Sequence, residues 1–139
     1  MIGIDTNVLV RYLTQDDPSQ SARATKLIED DLTAREPGFV SVVAMVETAW
    51  VLDRAYGLTD EEIAAAIELV LQADMLVVES EQQIFTSMVA VREGLGSFAD
   101  TLIYELGSRA GCSYTVTFDR KASRVPGFRE PVRKSVCGA

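Results

Sequence analysis

The N-terminal stretch Met1-Ile2-Gly3-Ile4-Asp5-Thr6-Asn7-Val8 changes from apolar to polar and back within eight residues. Residues 1–4 are predicted to form a first strand, and the amphipathic stretch at residues 8–13 is predicted to form the helix that follows it. Asp5 stands at the end of that strand, where open α/β sheets form their sites. The stretch therefore predicts a fold in which strands alternate with helices.

The rest of the chain continues this alternation. Asp17 is a predicted helix cap, and Thr59 and Ser80 are each predicted to begin a capping box that is completed three residues later. Such an order is typical of a parallel sheet covered by helices on both faces, and 139 residues suit one domain, residues 1–139. Further strands are predicted at residues 39–42, 75–79, 114–118 and 132–136, and further helices at residues 17–32, 43–56, 59–72, 80–94 and 97–110.

The chain contains no histidine, which excludes the usual general base near neutral pH, the usual partner of a serine or cysteine nucleophile and a common zinc ligand. Carboxylates remain as the candidate acid, base and metal-binding groups. Their oxygens suit hard cations such as Mg²⁺ and Mn²⁺, whereas zinc is commonly held by nitrogen and sulfur. The composition therefore favours carboxylate-and-metal chemistry.

Charge is unevenly distributed along the chain, whose net charge is −8. Residues 1–119 hold 7 Lys/Arg against 20 Asp/Glu, a net charge of −13, whereas residues 120–139 hold 6 against 1, a net charge of +5. This basic segment is interpreted either as a surface that contacts phosphates or as a solvated tail that keeps a terminal strand soluble. The acidic remainder argues against a general nucleic-acid coat protein.

No segment is predicted to direct secretion or to span a membrane. The N-terminus reaches Asp5 at once, and the longest apolar stretch, residues 63–78, is interrupted by polar side chains. Cys112 and Cys137 are too few for a disulfide framework and are interpreted as buried or inert thiols. We expect a soluble cytoplasmic protein.

Four acidic residues are candidates for functional roles because each stands at or beside an apolar segment: Asp5, Glu47, Asp100 and Asp119. Each also has a purely structural explanation. Asp5 and Asp119 could cap helices, Glu47 could face solvent, and Asp100 could complete a capping box with Ser97. Carboxylates gathered at one sheet edge repel one another unless a cation or protons intervene. The four together therefore favour a cation site.

The same carboxylates lie in four short motifs whose order and spacing extend over essentially the whole chain. With these motifs the chain resembles PIN-domain ribonucleases, specifically the VapC-type toxins of bacterial toxin–antitoxin pairs. Each motif is individually weak, and their combination makes the resemblance specific. The motifs are Ile4-Asp5-Thr6-Asn7-Val8-Leu9-Val10-Arg11-Tyr12-Leu13, Val46-Glu47-Thr48-Ala49-Trp50-Val51-Leu52, Phe98-Ala99-Asp100-Thr101-Leu102-Ile103 and Thr115-Val116-Thr117-Phe118-Asp119.

The resemblance implies a PIN-like three-layer sandwich, with a central, mostly parallel sheet of four to five strands and helices on both faces. It also implies an endoribonuclease, in which water activated by Mg²⁺ or Mn²⁺ hydrolyses an RNA phosphodiester bond. The metal ion would be held by a catalytic acidic quartet, which consists of Asp5, Glu47, Asp100 and Asp119. Supporting roles in orienting carboxylates or water would fall to Thr6, Asn7 and Thr117.

The partners implied by the resemblance are an RNA substrate, a small VapB-like antitoxin that blocks the acidic groove, and a second copy of the chain in a homodimer. Apolar residues of the helix at 43–56 could serve either the core or a dimer contact, and the core is favoured. These residues are Val43, Val46, Trp50 and Val51. The sequence shows no stacked-aromatic signature of RNA binding.

Two other classes of protein are weighed against the ribonuclease. A catalytically silent PIN-fold binding protein would keep the fold, and its melting temperature would not rise with manganese. A phosphoacceptor signalling domain shares the doubly wound sheet and an acidic pocket, but it needs a lysine after a late strand and an acidic pair near the N-terminus. Here only Lys26, Lys121 and Lys134 are present and the pair is reduced to Asp5, so this alternative is disfavoured.

Overall fold

The computed structural model describes residues 1–132, in which six α-helices and five short strands alternate along most of the chain. The strands are β1 (Ile2–Gly3), β2 (Gly38–Val40), β3 (Leu76–Val78), β4 (Thr115–Val116) and β5 (Phe128–Arg129). The helices are α1 (Thr6–Thr14), α2 (Pro18–Lys26), α3 (Val42–Arg54), α4 (Asp60–Gln72), α5 (Glu81–Arg92) and α6 (Phe98–Arg109). A π-helical turn at Leu27–Asp31 extends α2, and a 3₁₀ turn at Ala122–Arg124 lies between β4 and β5. The α/β class predicted from the sequence is confirmed.

Three strands form a parallel sheet in the order β1-β2-β3. Gly38 of β2 is in register with Ile2 of β1 and with Leu76 of β3. The pairing extends past β1, because the Ile4 N–H donates to the Phe39 carbonyl at 2.9 Å. Ile4 at the carboxyl end of β1 is therefore both buried and hydrogen-bonded, which fixes the backbone position of Asp5, the next residue.

β4 and β5 pair with each other in a separate two-stranded parallel sheet, whereas one sheet of four to five strands was expected. The Thr115 N–H donates to the Gly127 carbonyl and the Thr117 N–H to the Arg129 carbonyl, both at 2.9 Å. All five strands are parallel to their partners, as predicted. Each strand has only two or three residues, so each ladder contains few hydrogen bonds.

The described chain has a strand at Phe128–Arg129 that was not predicted, and it precedes the expected last strand, residues 132–136. Val132 belongs to no strand, and residues 133–136 lie outside the described residues. Pro131 has no N–H to donate to a strand ladder, which disfavours pairing at the predicted start. A strand of two residues is too short to show an alternating pattern, so β5 could not be predicted from the sequence.

The small sheet is anchored on α6 through Tyr104, whose ring lies 6.2 Å from that of Phe128 between centroids. Ala122 and Val125 complete this second apolar cluster. Gly127 is required at the turn into β5, because its φ is +92° and a Cβ atom there would overlap the Tyr104 ring. This packing fixes the segment between β4 and the 3₁₀ turn, which carries one of the candidate carboxylates.

The apolar residues of α3 lie on two faces of the helix. The prediction that Val43, Val46, Trp50 and Val51 serve mostly the core is wrong for two of them. Val43 and Trp50 are 68% and 62% exposed, while Val46 and Val51 are half-buried. Small and flexible side chains let α3 pack closely on its neighbours, whereas the bulky Trp50 remains outside. The buried face consists of Ala44, Met45, Thr48, Ala49 and Leu52.

Two of the three helix caps predicted from the sequence are confirmed. The Asp17 Oδ1 accepts a backbone N–H of α2 at 2.9 Å, and Thr59 forms a full capping box with Glu62 at the start of α4. The capping box predicted for Ser80 is wrong. Its φ of +54° departs from the extended backbone of an N-cap residue, and its hydroxyl instead accepts a hydrogen bond from Arg109 at 3.1 Å.

Within residues 1–132, no helix is long and apolar enough to cross a membrane. Cys112 is an exposed free thiol that follows α6. Of the two predicted alternatives, buried or inert, the buried one is wrong at this position. Cys137 lies outside the described residues.

Candidate functional site

Asp5 and Glu47 are distant in the sequence but line one cavity of about 430 Å³. Asp5 caps α1 directly after the first strand, and Glu47 lies in the second turn of α3, which packs against α1. Both side chains are exposed, as expected for Glu47 on the solvent side of an amphipathic helix. Two members of the predicted quartet therefore face the same open space.

Thr6 connects these two carboxylates. Its hydroxyl donates to Glu47 Oε1 at 2.6 Å, and its backbone N–H donates to Asp5 Oδ1 at 2.7 Å. Asn7 lines the same cavity and is exposed. This geometry supports the orienting role predicted for Thr6, because one residue restrains both carboxylates.

One wall of the cavity carries a fixed positive charge. Arg11 lies one helical turn after Asn7 and lines the same space, and its Nη1 donates to Asp16 Oδ1 at 3.0 Å and to the Tyr56 hydroxyl at 2.9 Å. The hydrogen bond from the Tyr56 hydroxyl, followed by one from Thr14, lowers the pKa of Asp16 to about 2. Asp16 is therefore ionised at neutral pH and holds the guanidinium in place.

Asp100 is half-buried in the first turn of α6. Its backbone N–H donates to Ser97 Oγ at 3.1 Å, but no reciprocal bond from the Ser97 N–H to the Asp100 carboxylate is formed in the described chain. The capping box suggested by the sequence is thus only half present. The Asp100 carboxylate is not used in helix capping, and it does not line the cavity of Asp5 and Glu47.

Asp119 has a structural role that the sequence had suggested as an alternative. Its Oδ1 accepts the backbone N–H of Lys121 at 2.8 Å and that of Ala122 at 3.3 Å, which caps the turn into the 3₁₀ helix. Thr117 accepts the Asp119 N–H at 3.0 Å through its hydroxyl, so it orients the backbone of Asp119. Neither residue lines the cavity of Asp5 and Glu47.

The four predicted carboxylates lie on or beside elements that contact one another, and two of them line the same cavity. Asp5 and Glu47 line one cavity, whereas Asp100 lies on α6, which contacts α3, and Asp119 lies just after β4, which contacts α6. Across residues 1–132, no group of three or more Asp, Glu or Cys side chains is arranged so that it could hold a metal ion. The described geometry thus supplies a cavity lined by two carboxylates, and two further carboxylates on elements that contact its surroundings.

The profile of the PIN domain family matches residues 2–127 of the chain, a range that includes all four carboxylates. The chain belongs to the PIN domain family. PIN domains are generally nucleases, and they generally use divalent metal ions. A comparison with curated proteins finds no match.

The donor groups in the cavity of this PIN domain fit a hard divalent cation. Mg²⁺ is usually held by one or two carboxylates, with waters and substrate phosphates completing its shell of six oxygens. Asp5 and Glu47 supply two carboxylates at one cavity, and the described lining contains neither a thiol nor an imidazole that would favour zinc. The residues present therefore match the metal chemistry that is general in the family.

Two residues that line the cavity of this PIN domain, and one carboxylate at another strand end, had no role predicted from the sequence. Arg11 and Tyr56 line the cavity, and only the spacing of four between Asn7 and Arg11 could have indicated that both face it. Glu79 follows β3, as Asp5 follows β1, but its Oε1 accepts the Val42 N–H at 2.8 Å. Glu79 therefore serves the start of α3.

Proposed function

We propose that this protein is a Mg²⁺- or Mn²⁺-dependent endoribonuclease that acts as the toxin of a toxin–antitoxin pair. The observation that carries the proposal is the cavity shared by Asp5 and Glu47, held together by Thr6, in a chain of a generally nucleolytic family. The choice of RNA as substrate and of a toxin role rests on the resemblance of the four motifs to VapC-type toxins.

Asp5 and Glu47 are the residues that would hold the metal ion, with Asp100 and Asp119 as further ligands. The bound cation would supply a nucleophilic water at neutral pH and would stabilise charge on the attacked phosphate. Because the chain has no histidine, the proton transfers fall to carboxylates and water. The chemistry then needs no RNA 2′-hydroxyl as its nucleophile.

The surrounding residues position the reacting groups. Thr6 restrains the Glu47 carboxylate through its 2.6 Å hydrogen bond, so Glu47 meets a substrate in one orientation. Arg11 lines the cavity, and its guanidinium is restrained by hydrogen bonds to Asp16 and to Tyr56. A phosphate entering the cavity would therefore meet one fixed positive charge beside the two carboxylates.

The proposed partners are a VapB-like antitoxin that covers the acidic cavity and a second copy of the chain. Val43 and Trp50 give α3 an exposed apolar face, which is a candidate for the contact between copies. Light scattering on the purified chain should give the mass of a dimer, and Trp50→Glu should shift it toward the monomer. A monomeric mass for the parent chain would contradict the homodimer.

A catalytically silent PIN-fold binding protein is the second candidate, because no ready-made group of three carboxylates is present in residues 1–132. The two candidates differ in their response to metal. A native state that binds Mn²⁺ is stabilised by mass action, by about 2.7 kcal/mol at a concentration of 100 Kd. A melting temperature that does not change with Mn²⁺ would favour the silent protein. The family match, meanwhile, gives no support to a phosphoacceptor domain.

The nuclease is tested by incubating purified protein with RNA in Mg²⁺ or Mn²⁺ and comparing Asp5→Asn with Asp17→Asn. Both residues are aspartate N-caps whose Oδ1 accepts a backbone N–H, but Asp17 does not line the cavity. We expect at least a 100-fold loss of cleavage for Asp5→Asn, no loss for Asp17→Asn, and abolition by EDTA. Equal rates for the two variants would contradict the site assignment.

A further inference from the structure

A cluster of exposed aromatic and basic side chains lies on and around β4 and β5, next to Asp119. Phe118 is 88% exposed and Tyr114 is 43% exposed. The guanidinium of Arg129 lies 4.5 Å from the centroid of the Tyr114 ring, a distance at which cation–π attraction is effective. We call this the aromatic–basic surface, and it consists of Tyr114, Phe118, Arg120, Lys121 and Arg129.

The backbone keeps these side chains close together. The Thr117 N–H donates to the Arg129 carbonyl at 2.9 Å, which places the residue before Phe118 beside β5. Asp119 Oδ1 then accepts the Lys121 N–H at 2.8 Å, so the chain turns tightly after Phe118. The surface is thus formed by one short segment and the strand paired with it.

The charge of this region is opposite to that of the rest of the described chain. Residues 114–129 hold 4 Lys/Arg against 1 Asp/Glu, a net charge of +3, whereas residues 1–113 hold 7 against 19, a net charge of −12. The salt bridges found within residues 1–132 involve none of the four cations, which are Arg120, Lys121, Arg124 and Arg129. Positive charge is therefore available here for an anionic ligand.

Two chemical requirements define the ligand. Arg and Lys side chains without an acidic partner bind anions such as a phosphate backbone. An almost fully exposed phenylalanine can stack against a flat apolar surface. An unpaired nucleotide meets both requirements, because its base can stack on the phenylalanine and its phosphate can bind the cations. A duplex offers only phosphates, because its bases are already stacked and paired. An acidic peptide would satisfy the charge but offers a stack only through its aromatic residues.

We propose that the aromatic–basic surface binds single-stranded RNA, with one base stacked on Phe118 and adjacent phosphates held by Arg120 and Lys121. This inference rests on the proposed ribonuclease function and adds to it a surface on β4 and β5 that positions the RNA. Phe118 directly precedes Asp119, so a strand bound here passes one of the four candidate carboxylates. In this arrangement Phe118 is a positioning residue.

The test is binding of fluorescent RNA to the full chain carrying Asp5→Asn, so that the RNA is not consumed. The probes are a single-stranded oligonucleotide of about 12 residues, the same sequence as a duplex, and an acidic peptide that contains one tyrosine. Phe118→Leu is compared with Phe118→Tyr, which keeps an aromatic ring. Phe85→Leu is the matched control, since Phe85 is a 49% exposed phenylalanine on α5.

We expect Phe118→Leu to weaken binding of the single strand by about 5- to 100-fold, as for loss of one base–aromatic stack, and Phe118→Tyr to restore most of it. Phe85→Leu should change nothing. Replacing Arg120 or Lys121 by Gln should reduce the slope of log affinity against log salt by about 1 each. The duplex should bind more weakly than the single strand and without dependence on Phe118.

Any one of three results would overturn the proposal: an unchanged affinity in Phe118→Leu, a duplex bound as tightly as the single strand, or a peptide bound with the greater dependence on Phe118. The last result would make the surface a site for an acidic protein. Failure of the nuclease function is recognised separately, because RNA binding that depends on Phe118 can persist in a chain that does not cleave RNA.

Discussion

Asp5 has two distinct roles, as the cap of α1 and as a carboxylate of the cavity, and two substitutions separate them. Asp5→Ala removes the oxygen that accepts the Thr6 N–H at 2.7 Å. Asp5→Asn keeps an acceptor oxygen and removes only the negative charge. Because Asn and Asp are about equally good N-cap residues, the two variants should differ in stability while both lose cleavage.

The expected size of the difference follows from the local structure. Replacing an N-cap by alanine costs about 0.5–2 kcal/mol. Asp5 is exposed and bonds only the first N–H of α1, so the lower part of that range applies, about 0.5–1 kcal/mol. Asp5→Asn should unfold at the parental free energy or slightly above it, because removing one charge relieves its repulsion with Glu47.

Urea unfolding monitored by circular dichroism provides the assay, with RNA cleavage measured on the same preparations. Asp17→Ala is the control, since it removes a similar cap from α2 and should lower stability while leaving cleavage unchanged. If Asp5→Asn lost as much stability as Asp5→Ala, the carboxylate charge would be structural and the separation of roles would be wrong. Cleavage by Asp5→Asn at the parental rate would refute its place in the site.

Three further predictions concern the fold around the site. Leu52→Ala, at a fully buried position of α3, should lower the free energy of unfolding by about 2–5 kcal/mol, whereas Val43→Ala on the exposed face should change it by less than about 0.5 kcal/mol; equal losses would contradict the assigned faces. Thr59→Ala removes the capping box of α4 and should cost about 1 kcal/mol in urea unfolding; an unchanged midpoint would contradict that cap. For Asp16 the pKa is lowered from 3.8 to about 2, so its carboxylate contributes stability that is fully present above about pH 5 and is lost as the pH falls through about 2. The stability difference between parent and Asp16→Asn should therefore shrink between about pH 5 and pH 2, and a constant difference in pH-dependent melting would contradict it.

Much of the fold could be predicted from the sequence, because its signals are local. Pro18 after Asp17 and the Thr59 capping box mark helix starts that the structure confirms. The same rule gave a wrong prediction at Ser80. This residue has a left-handed backbone conformation, and its hydroxyl accepts a hydrogen bond from Arg109 on another helix. A motif of four residues cannot indicate a contact with a residue that is distant in the sequence.

The candidate site was predictable in its residue types but not in its geometry. Asp5 and Glu47 meet because α1 packs on α3, and the bond from Thr6 to Glu47 spans 41 positions of sequence. The exposure of Trp50 could not be predicted, since an apolar stripe on a helix has the same spacing whether it faces the core or solvent. Arg11 and Tyr56 line the cavity and are hydrogen-bonded to each other, a contact across 45 positions of sequence that no local motif indicates.

The central claim is that the cavity of Asp5 and Glu47 cleaves RNA, and mapping RNA ends in cells tests it most directly. Ends would be sequenced after expression of the parent chain and of Asp5→Asn at matched protein levels. We predict a defined set of new ends, with 5′-phosphates on the downstream fragments, that is present with the parent chain and absent with Asp5→Asn. Identical maps for the two proteins would contradict the claim.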